Sequence, residues 1–266
     1  MSTLSIVIPV YNESKRLDRA FKALGAIFDT CDLTLENIIF VNDGSTDTSY
    51  KKLIVHKTQI EKKLNTNVSI ISYEKNRGKG YAIKTGMLAS QSDYTLFFDA
   101  DISTPLEEFK RFGPFLKIEL DVIIGTRKNG KSLVVKAQPL YRRILGKGFT
   151  ILSNVILNTK VSDFTCGFKI FSRKAKDEIF TKSIIERWGY DAEIMYLAKK
   201  LKYSIQEVPV HWSNDERSKV SVLKDITSSL KELFTIHFNS FMGKYSKRMV
   251  LRTTHSLRVG TSLNNQ

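Results

Sequence analysis

Short apolar runs recur along the first half of the chain, and what lies between them limits the fold more than any other feature. Leu4 to Val10 (LSIVIPV), Ile38 to Val41 (IIFV), Val68 to Ser72, Tyr94 to Phe98 (YTLFF) and Val122 to Gly125 each read as a buried strand. Helical spacing fills the gaps. Leu17, Ala20, Phe21, Leu24, Ile27 and Phe28 predict an amphipathic helix starting near Glu13; a second helical segment runs towards Leu64 and a third spans Lys79 to Ala89. Strands alternating with helices at this spacing imply βαβ crossovers and a mostly parallel sheet. The fold class is therefore α/β, doubly wound in the first half.

Beyond Arg127 the pattern loosens into a Lys-rich loop (KNGKSLVVKAQP). A helix over Tyr141 to Asn158, a strand over Gly167 to Phe171, a helix carrying Ile194, Leu197, Ala198 and Leu201, and a strand over Ser204 to Val210 are predicted after it. The last predicted element is an amphipathic helix with Val222, Ile226, Leu230, Leu233, Phe234, His237 and Phe241 on one side. The chain has 266 residues, against about 150 per domain, and no internal repeat or low-complexity linker divides it. The second half thus reads as an extension of the first sheet. Residues 1–241 are expected to form one domain and residues 242–266 a basic tail, for Lys244, Lys247, Arg248, Arg252 and Arg258 are joined there by no acid.

Charge narrows the partners. Forty-two Lys and Arg face 27 Asp and Glu, a net +15, which favours nucleic acid, anionic lipid or a phosphorylated substrate. No aromatic-flanked basic stripe or nucleic-acid module accompanies it, so no nucleic-acid partner is expected. Cys31 and Cys166 are far apart without metal spacing, and neither a disulfide framework nor a zinc site is indicated. The chain has no apolar run of about 18 residues and no signal-peptide pattern. A cytoplasmic protein without a spanning segment is the expectation.

In open α/β sheets ligands bind beyond the carboxyl ends of the strands. Four polar clusters fall there: Tyr11-Asn12-Glu13, Asn42-Asp43-Gly44-Ser45, Asn76-Arg77-Gly78-Lys79-Gly80 and Asp99-Ala100-Asp101. If the strands are parallel, all four meet at one edge. Extended alternation points Asp99 and Asp101 the same way, and two such carboxylates suit Mg²⁺ shared with substrate phosphates. A bare DxD is more often a solvated acidic turn; its register with the three other clusters favours the metal. Asp43 suits a helix cap as well as a ligand. Gly78-Lys79-Gly80 is not a dinucleotide fingerprint, because Ile83 replaces the third glycine. Arg127, Arg142, Arg143 and Lys169 are either solvated charge or a grip on phosphate.

In order, VIPVYNE, VNDGSTD, NRGKG, DAD, DFTCGFKIFSR and ERWGYDAEI resemble the family 2 glycosyltransferases of GT-A fold, and within them the polyprenyl-phosphate branch, dolichyl-phosphate glucosyltransferases before mannose synthases. The resemblance runs from about Ser5 to Lys219. It implies a Rossmann-like nucleotide-sugar-binding fold, with residues 1–126 the nucleotide half and 127–241 the acceptor half. Asp43 would hold the base, Pro9, Tyr11, Glu13 and Lys79 would line the nucleotide-sugar pocket, and Asp99 and Asp101 would carry Mg²⁺ or Mn²⁺. Asp163 would stand beside the reaction centre, with Asp101, Arg127 and Asp191 also catalytic. Arg142, Arg143 and Lys169 would meet the acceptor phosphate. Trp188, Asp191 and Cys166 are closer to glucosyl members, so UDP-glucose is favoured over GDP-mannose. Asn42 departs from the pattern where many members carry a second Asp, and Ser103 stands where mannosyl members often carry Gln near the metal.

The reaction implied is inverting transfer of a hexose to a polyprenyl phosphate. An acceptor phosphate is already anionic near neutral pH, as its second pKa is about 6, so Asp163 would position rather than deprotonate. A hydroxyl acceptor would instead need Asp163 or Asp191 as a base. The last helix and basic tail are expected to bind an anionic membrane surface peripherally, on its cytoplasmic face.

Overall fold

A computed structural model describes residues 1–25, 33–128, 132, 134–136, 140–213 and 222–246; the side chains of 134–136, Arg142 and 222–227 fall outside that description. Residues Thr3–Val10 (β1) are buried without a break from Leu4 to Ile8, as a strand covered on both faces requires. Alternation divides them: Ile6 and Ile8 join the core on one face of the sheet, while Val7 joins the core on the other. The same division separates Phe98 from Phe97 in Tyr94–Phe98 (β4).

Three βαβ passages build the first half. Leu17–Ala23 (α1) links β1 to Thr34–Asp43 (β2), Ser49–Leu64 (α2) links β2 to Asn67–Tyr73 (β3), and Lys79–Ala89 (α3) links β3 to β4. A 3-10 turn, Leu106–Arg111, and the single turn Gly113–Leu116 (α4) lead to Val122–Thr126 (β5). Then come Val134–Lys136 (β6), Leu140–Leu157 (α5), Phe168–Ser172 (β7), Arg173–Lys182 (α6), Tyr190–Lys200 (α7), Ile205–Pro209 (β8), Trp212–Ser213 (β9) and Val222–Phe241 (α8). Seven strands make one sheet in the order β3-β2-β1-β4-β7-β5-β8, and β6 pairs with β9. Strands of both sequence halves therefore share one sheet.

The order reverses between β1 and β4, so the crevice that such a reversal opens lies at their carboxyl ends. β1, β2, β3 and β4 are mutually parallel, which gathers the four polar clusters at that edge. β7 runs antiparallel to β4 and β5. Its first residue, Phe168, pairs with the last of β4, Phe98, so residues 163–167 arrive where the other loops leave.

Two local expectations need correction, and one helix was not foreseen. α1 begins at Leu17, not near Glu13, because Glu13 O first closes a turn with Arg16 N and Leu17 N; Ile27 and Phe28 lie outside the described residues. α6 was not legible in RKAKDEIFTK, where charge hides its buried face of Ala175, Ile179 and Phe180. The Ser172 side chain caps it by accepting from Ala175 N, and buried Lys176 donates to Ser90 O at 2.6 Å. α8 splits the expected apolar side in two: Leu233 is buried with Ile236, whereas Phe234, Phe238 and Phe241 face solvent. The basic tail from 247 onwards, with Lys247, Arg248, Arg252 and Arg258, lies outside the described residues, as does Cys31.

Candidate active site

Backbone strain and amide hydrogen bonds shape the edge over β1, β2 and β3. Asn12 takes φ +54, the left-handed region that a short amide side chain tolerates. Its Oδ1 accepts from Thr46 N at 2.8 Å and Asp47 N at 3.2 Å, while Glu13 N donates to Ser49 Oγ at 2.8 Å. The loops after β1 and β2 are thereby tied together. Pro9, next to last in β1, is half-buried, Tyr11 just past the strand is exposed, and the Glu13 carboxylate pairs with Arg16 Nε at 2.6 Å.

Asp43 closes the third loop onto the second. Its carboxylate is buried and accepts from Asn76 Nδ2 at 2.7 Å, Arg77 N at 2.8 Å and Gly78 N at 2.9 Å. Burial pushes its carboxyl up, against the pull of the backbone donors. Gly78 itself has φ +116, and a Cβ there would stand 2.6 Å from Glu186 O. The 183–189 loop thus presses on the NRGKG turn; the Arg77 guanidinium pairs with Glu186 and lies 3.4 Å over the Tyr81 ring centroid. Asn42 faces along the sheet, donating to Ser72 Oγ at 2.9 Å, so the amide in place of an acid serves a cross-strand link.

The acidic pair stands at the centre of the edge. Asp99 N donates to Gly167 O at 3.2 Å, and a Cβ on Gly167 would fall 2.1 Å from Asp99 Oδ2. Only glycine lets the β7 entry pass so close. Asp99 Oδ1 is buried without a hydrogen-bond partner of good geometry among the described residues, and the Lys79 ammonium lies 2.6 Å from it. Asp101 Oδ1 accepts from Ser103 N at 2.9 Å, and its Oδ2 is 3.9 Å from Arg16 Nη1. Burial and the neighbouring Asp99 charge push the Asp101 carboxyl up. Among the described residues no three His, Cys, Asp or Glu gather as a complete cage. Two carboxylates on one edge, one of them held by a lysine ammonium that can move away, are hard oxygen donors that fit a divalent ion such as Mg²⁺ drawing its remaining ligands from substrate phosphates and water.

Over β5 and β7 the acids are matched to cations. Arg127, just past β5, grips fully buried Asp163 through Nε at 2.7 Å and Nη2 at 2.8 Å, and its backbone N donates as well, at 3.1 Å. Lys128 Nζ is 3.7 Å from the same carboxylate. Burial alone would raise the Asp163 carboxyl, but Arg127 overrules it and holds it well below the usual carboxylate range. Lys169 is not displayed to an acceptor. It is wholly buried, donating to Asp191 Oδ1 at 2.6 Å and Cys166 O at 2.7 Å, because it shares its face of β7 with Phe171, which belongs to the second core. Its ammonium therefore faces Asp191 in the core and not solvent. Burial pushes the Cys166 thiol up to about 11, which suits packing rather than reaction. Arg143 is exposed on α5, and the side chain of Arg142 lies outside the described residues.

Residues 5–180 match the family model described as "Glycosyl transferase family 2". The chain belongs to that family. Among curated relatives, the dolichyl-phosphate beta-glucosyltransferase of Dictyostelium discoideum is 36% identical over 251 residues, covering 90% of this chain and 75% of the relative. Those of Saccharomyces cerevisiae and Homo sapiens are 32% and 29% identical, each covering 91% of this chain and 76% and 77% of the relative. Glucosyl-3-phosphoglycerate synthase of Mycobacterium tuberculosis, solved with Mn²⁺, UDP and glucosyl-3-phosphoglycerate, shares the fold. Its TM-score is 0.63 at 17% identity, covering 89% of this chain and 80% of that one. The seven-stranded sheet is thus a GT-A fold, and the chain is a family 2 glycosyltransferase.

Several supports of this transferase site were not legible in the sequence. Glu193, wholly buried in α7, accepts from Ile184 N at 3.0 Å, Ile185 N at 2.9 Å and Tyr245 Oη at 2.7 Å. Glu232 of α8 accepts from Gly189 N. Together they fix both ends of the 183–189 loop that presses on Gly78. Glu193 was visible in the sequence as part of the WGYDAE segment, beside Asp191, but its role as a brace of this loop was not; Tyr245, in the tail segment, carried no signal. Lys128 was passed over beside Arg127, although adjacent cations at a strand end are a visible cue.

Proposed function

We propose that this family 2 transferase moves glucose from UDP-glucose to a polyprenyl phosphate of the dolichyl type, with inversion, as a peripheral protein on the cytoplasmic membrane face. The observation that carries this reading is that both carboxylates eligible as a base, Asp163 and Asp191, are engaged in ion pairs. Asp163 is locked to Arg127 and Lys128, and Asp191 to Lys169. A hydroxyl nucleophile needs a proton acceptor within hydrogen-bond reach; a phosphate monoester, with its second pKa about 6, does not. The names of the relatives, dolichyl-phosphate beta-glucosyltransferases, point to the same acceptor.

In this reading Asp43 rigidifies the turn that receives the nucleotide base, and Pro9, Tyr11 and Glu13 line its pocket. Asp99 and Asp101 hold Mg²⁺ or Mn²⁺, which supplies positive charge against the leaving diphosphate. Lys79 adds to that charge. The acceptor oxygen attacks the anomeric carbon in line while the bond from that carbon to the diphosphate oxygen breaks, giving inversion. Asp163 fixes Arg127 towards the phosphates, and Arg143 lies outside this cluster, on the exposed side of α5. Radiolabelled UDP-glucose offered with Mn²⁺ to polyprenyl phosphate should place label in the lipid extract. Equal labelling from GDP-mannose, or transfer only to soluble hydroxyl acceptors, would overturn it.

An amphiphilic acceptor also needs an apolar approach. Lys128 Nζ donates to Thr150 Oγ1 of α5 at 2.8 Å, so the cation pair abuts that helix. α5 turns Leu140, Tyr141, Ile144, Ile151 and Val155 to solvent, and its neighbour α8 adds Phe234, Phe238 and Phe241. Exposed Arg143, Lys147, Lys231 and Lys244 accompany them, and basic residues near an anionic surface add about 1 kcal/mol each. No helix among the described residues is long and apolar enough to cross a membrane. Phosphatidylserine liposomes should float the protein at low salt, and the double variant Phe234→Ser, Phe238→Ser should sink; equal flotation would reject this face.

A further inference from the structure

The acidic pair is asymmetric. Asp101 faces Arg16 only at 3.9 Å, whereas Asp99 Oδ1 has the Lys79 ammonium at 2.6 Å. Asp99 is also walled in, for Gly167 approaches its Oδ2 more closely than any side chain would allow. When a divalent ion comes to this carboxylate the carboxylate has little room to turn away. The lysine is the partner that can move: its stem is flexible and partly exposed, and it opens α3, beside the backbone N–H groups of a helix N-terminus.

We infer that Lys79 is the built-in counter-cation of Asp99, and that it exchanges the carboxylate for the nucleotide diphosphate as the metal takes the carboxylate. The inference rests on the nucleotide and metal reading above and adds a thermodynamic consequence to it. In the free protein the ammonium occupies the charge that a metal would neutralise, so metal alone competes with a bonded cation and binds weakly. A diphosphate draws the ammonium off Asp99 and frees that oxygen. Metal and nucleotide then help each other to bind, each by the same factor, since linkage is reciprocal. Lys79 would thereby keep the site from filling with metal before its donor arrives. The charge of Asp191, which also faces Lys79, gives the ammonium a second anion while it changes partner.

Binding of Mn²⁺ measured by electron paramagnetic resonance, with and without UDP, tests this without any turnover. The wild-type protein should bind Mn²⁺ at least tenfold more tightly when UDP is present. Lys79→Met should tighten Mn²⁺ binding in the absence of UDP by about tenfold, weaken UDP, and lower the mutual enhancement by about tenfold, to the part that diphosphate oxygens on the metal supply by themselves. Lys79→Arg should retain most of the enhancement, and Lys79→Gln repeats the test should the methionine variant fold poorly. Unchanged or weaker Mn²⁺ binding by the folded Met and Gln variants would overturn the exchange while leaving the metal assignment standing. Mn²⁺ binding that Asp99→Asn and Asp101→Asn do not reduce, or none by the wild type even with UDP, would overturn the metal assignment and the exchange with it.

Discussion

The two sides of the crevice solve the problem of buried acid differently. Over β1, β2 and β3 the buried carboxylate of Asp43 meets neutral donors, two backbone N–H groups and an asparagine amide. Over β5 and β7, Asp163 and Asp191 meet Arg127, Lys128 and Lys169. Neutral donors fix a loop without adding charge, which suits a turn that receives a base and ribose. Ion pairs fix the acids and leave the Arg127 guanidinium and the Lys128 ammonium at the edge where the proposed reading gathers the phosphates, while the Lys169 ammonium stays in the core. Asp99 and Asp101 lie between the two, and theirs are the carboxylates in a position to change partner.

The largest effect is therefore expected at that seam. Asp101→Asn should lower transfer by about two to three orders of magnitude, the scale of losing an electrostatic contact made to the developing charge. Its melting temperature should barely move, and a turnover assay beside calorimetry checks both. Asp163→Ala should do the reverse in part: breaking a buried pair costs about 3–5 kcal/mol, since Arg127 keeps its charge without its partner. Chemical denaturation measures it, and a loss under about 1 kcal/mol would mean the pair is solvated. Asp43→Ala leaves backbone donors unmatched at about 1–3 kcal/mol. It should also weaken UDP in calorimetry, and unchanged UDP affinity would separate the turn from the nucleotide.

Much of this was legible because strand ends are legible. YTLFF followed by Asp-Ala-Asp, and the IIFV strand followed by Asn-Asp-Gly, mark the carboxyl edge by hydrophobicity alone, and parallel pairing then brings the loops together. The antiparallel insertion of β7 was not legible, for direction leaves no trace in FKIF, yet it is what delivers Gly167 to Asp99. Lys169 was misjudged for a related reason. A lysine in a motif looks displayed, and only the pairing of β7 between β4 and β5 shows that its side chain enters the core. On α8, spacing showed that the helix is apolar but not that Leu233 and Phe234 part company, because two apolar faces blur into one stripe.

The smallest expected effect is one of sign rather than size, and it sharpens the contrast most. Asp163 is held below its unfolded value by Arg127, so its stabilisation is fully present above the ordinary carboxylate range and is lost as pH falls below it. Asp43 is raised by burial, so the folded protein takes up its proton first. Its contribution becomes more favourable as pH falls from neutrality towards the unfolded value of about 4. Melting curves of the wild type, Asp163→Asn and Asp43→Asn between pH 7 and pH 3 should separate the two. The gap between wild type and Asp163→Asn should hold above pH 4 and shrink below it, whereas the gap to Asp43→Asn should widen on moving from pH 7 towards pH 4. Gaps that move in the same direction would mean that Asp43, like Asp163, is governed by a cation, and that the two sides of the crevice do not differ in the way their hydrogen bonds imply.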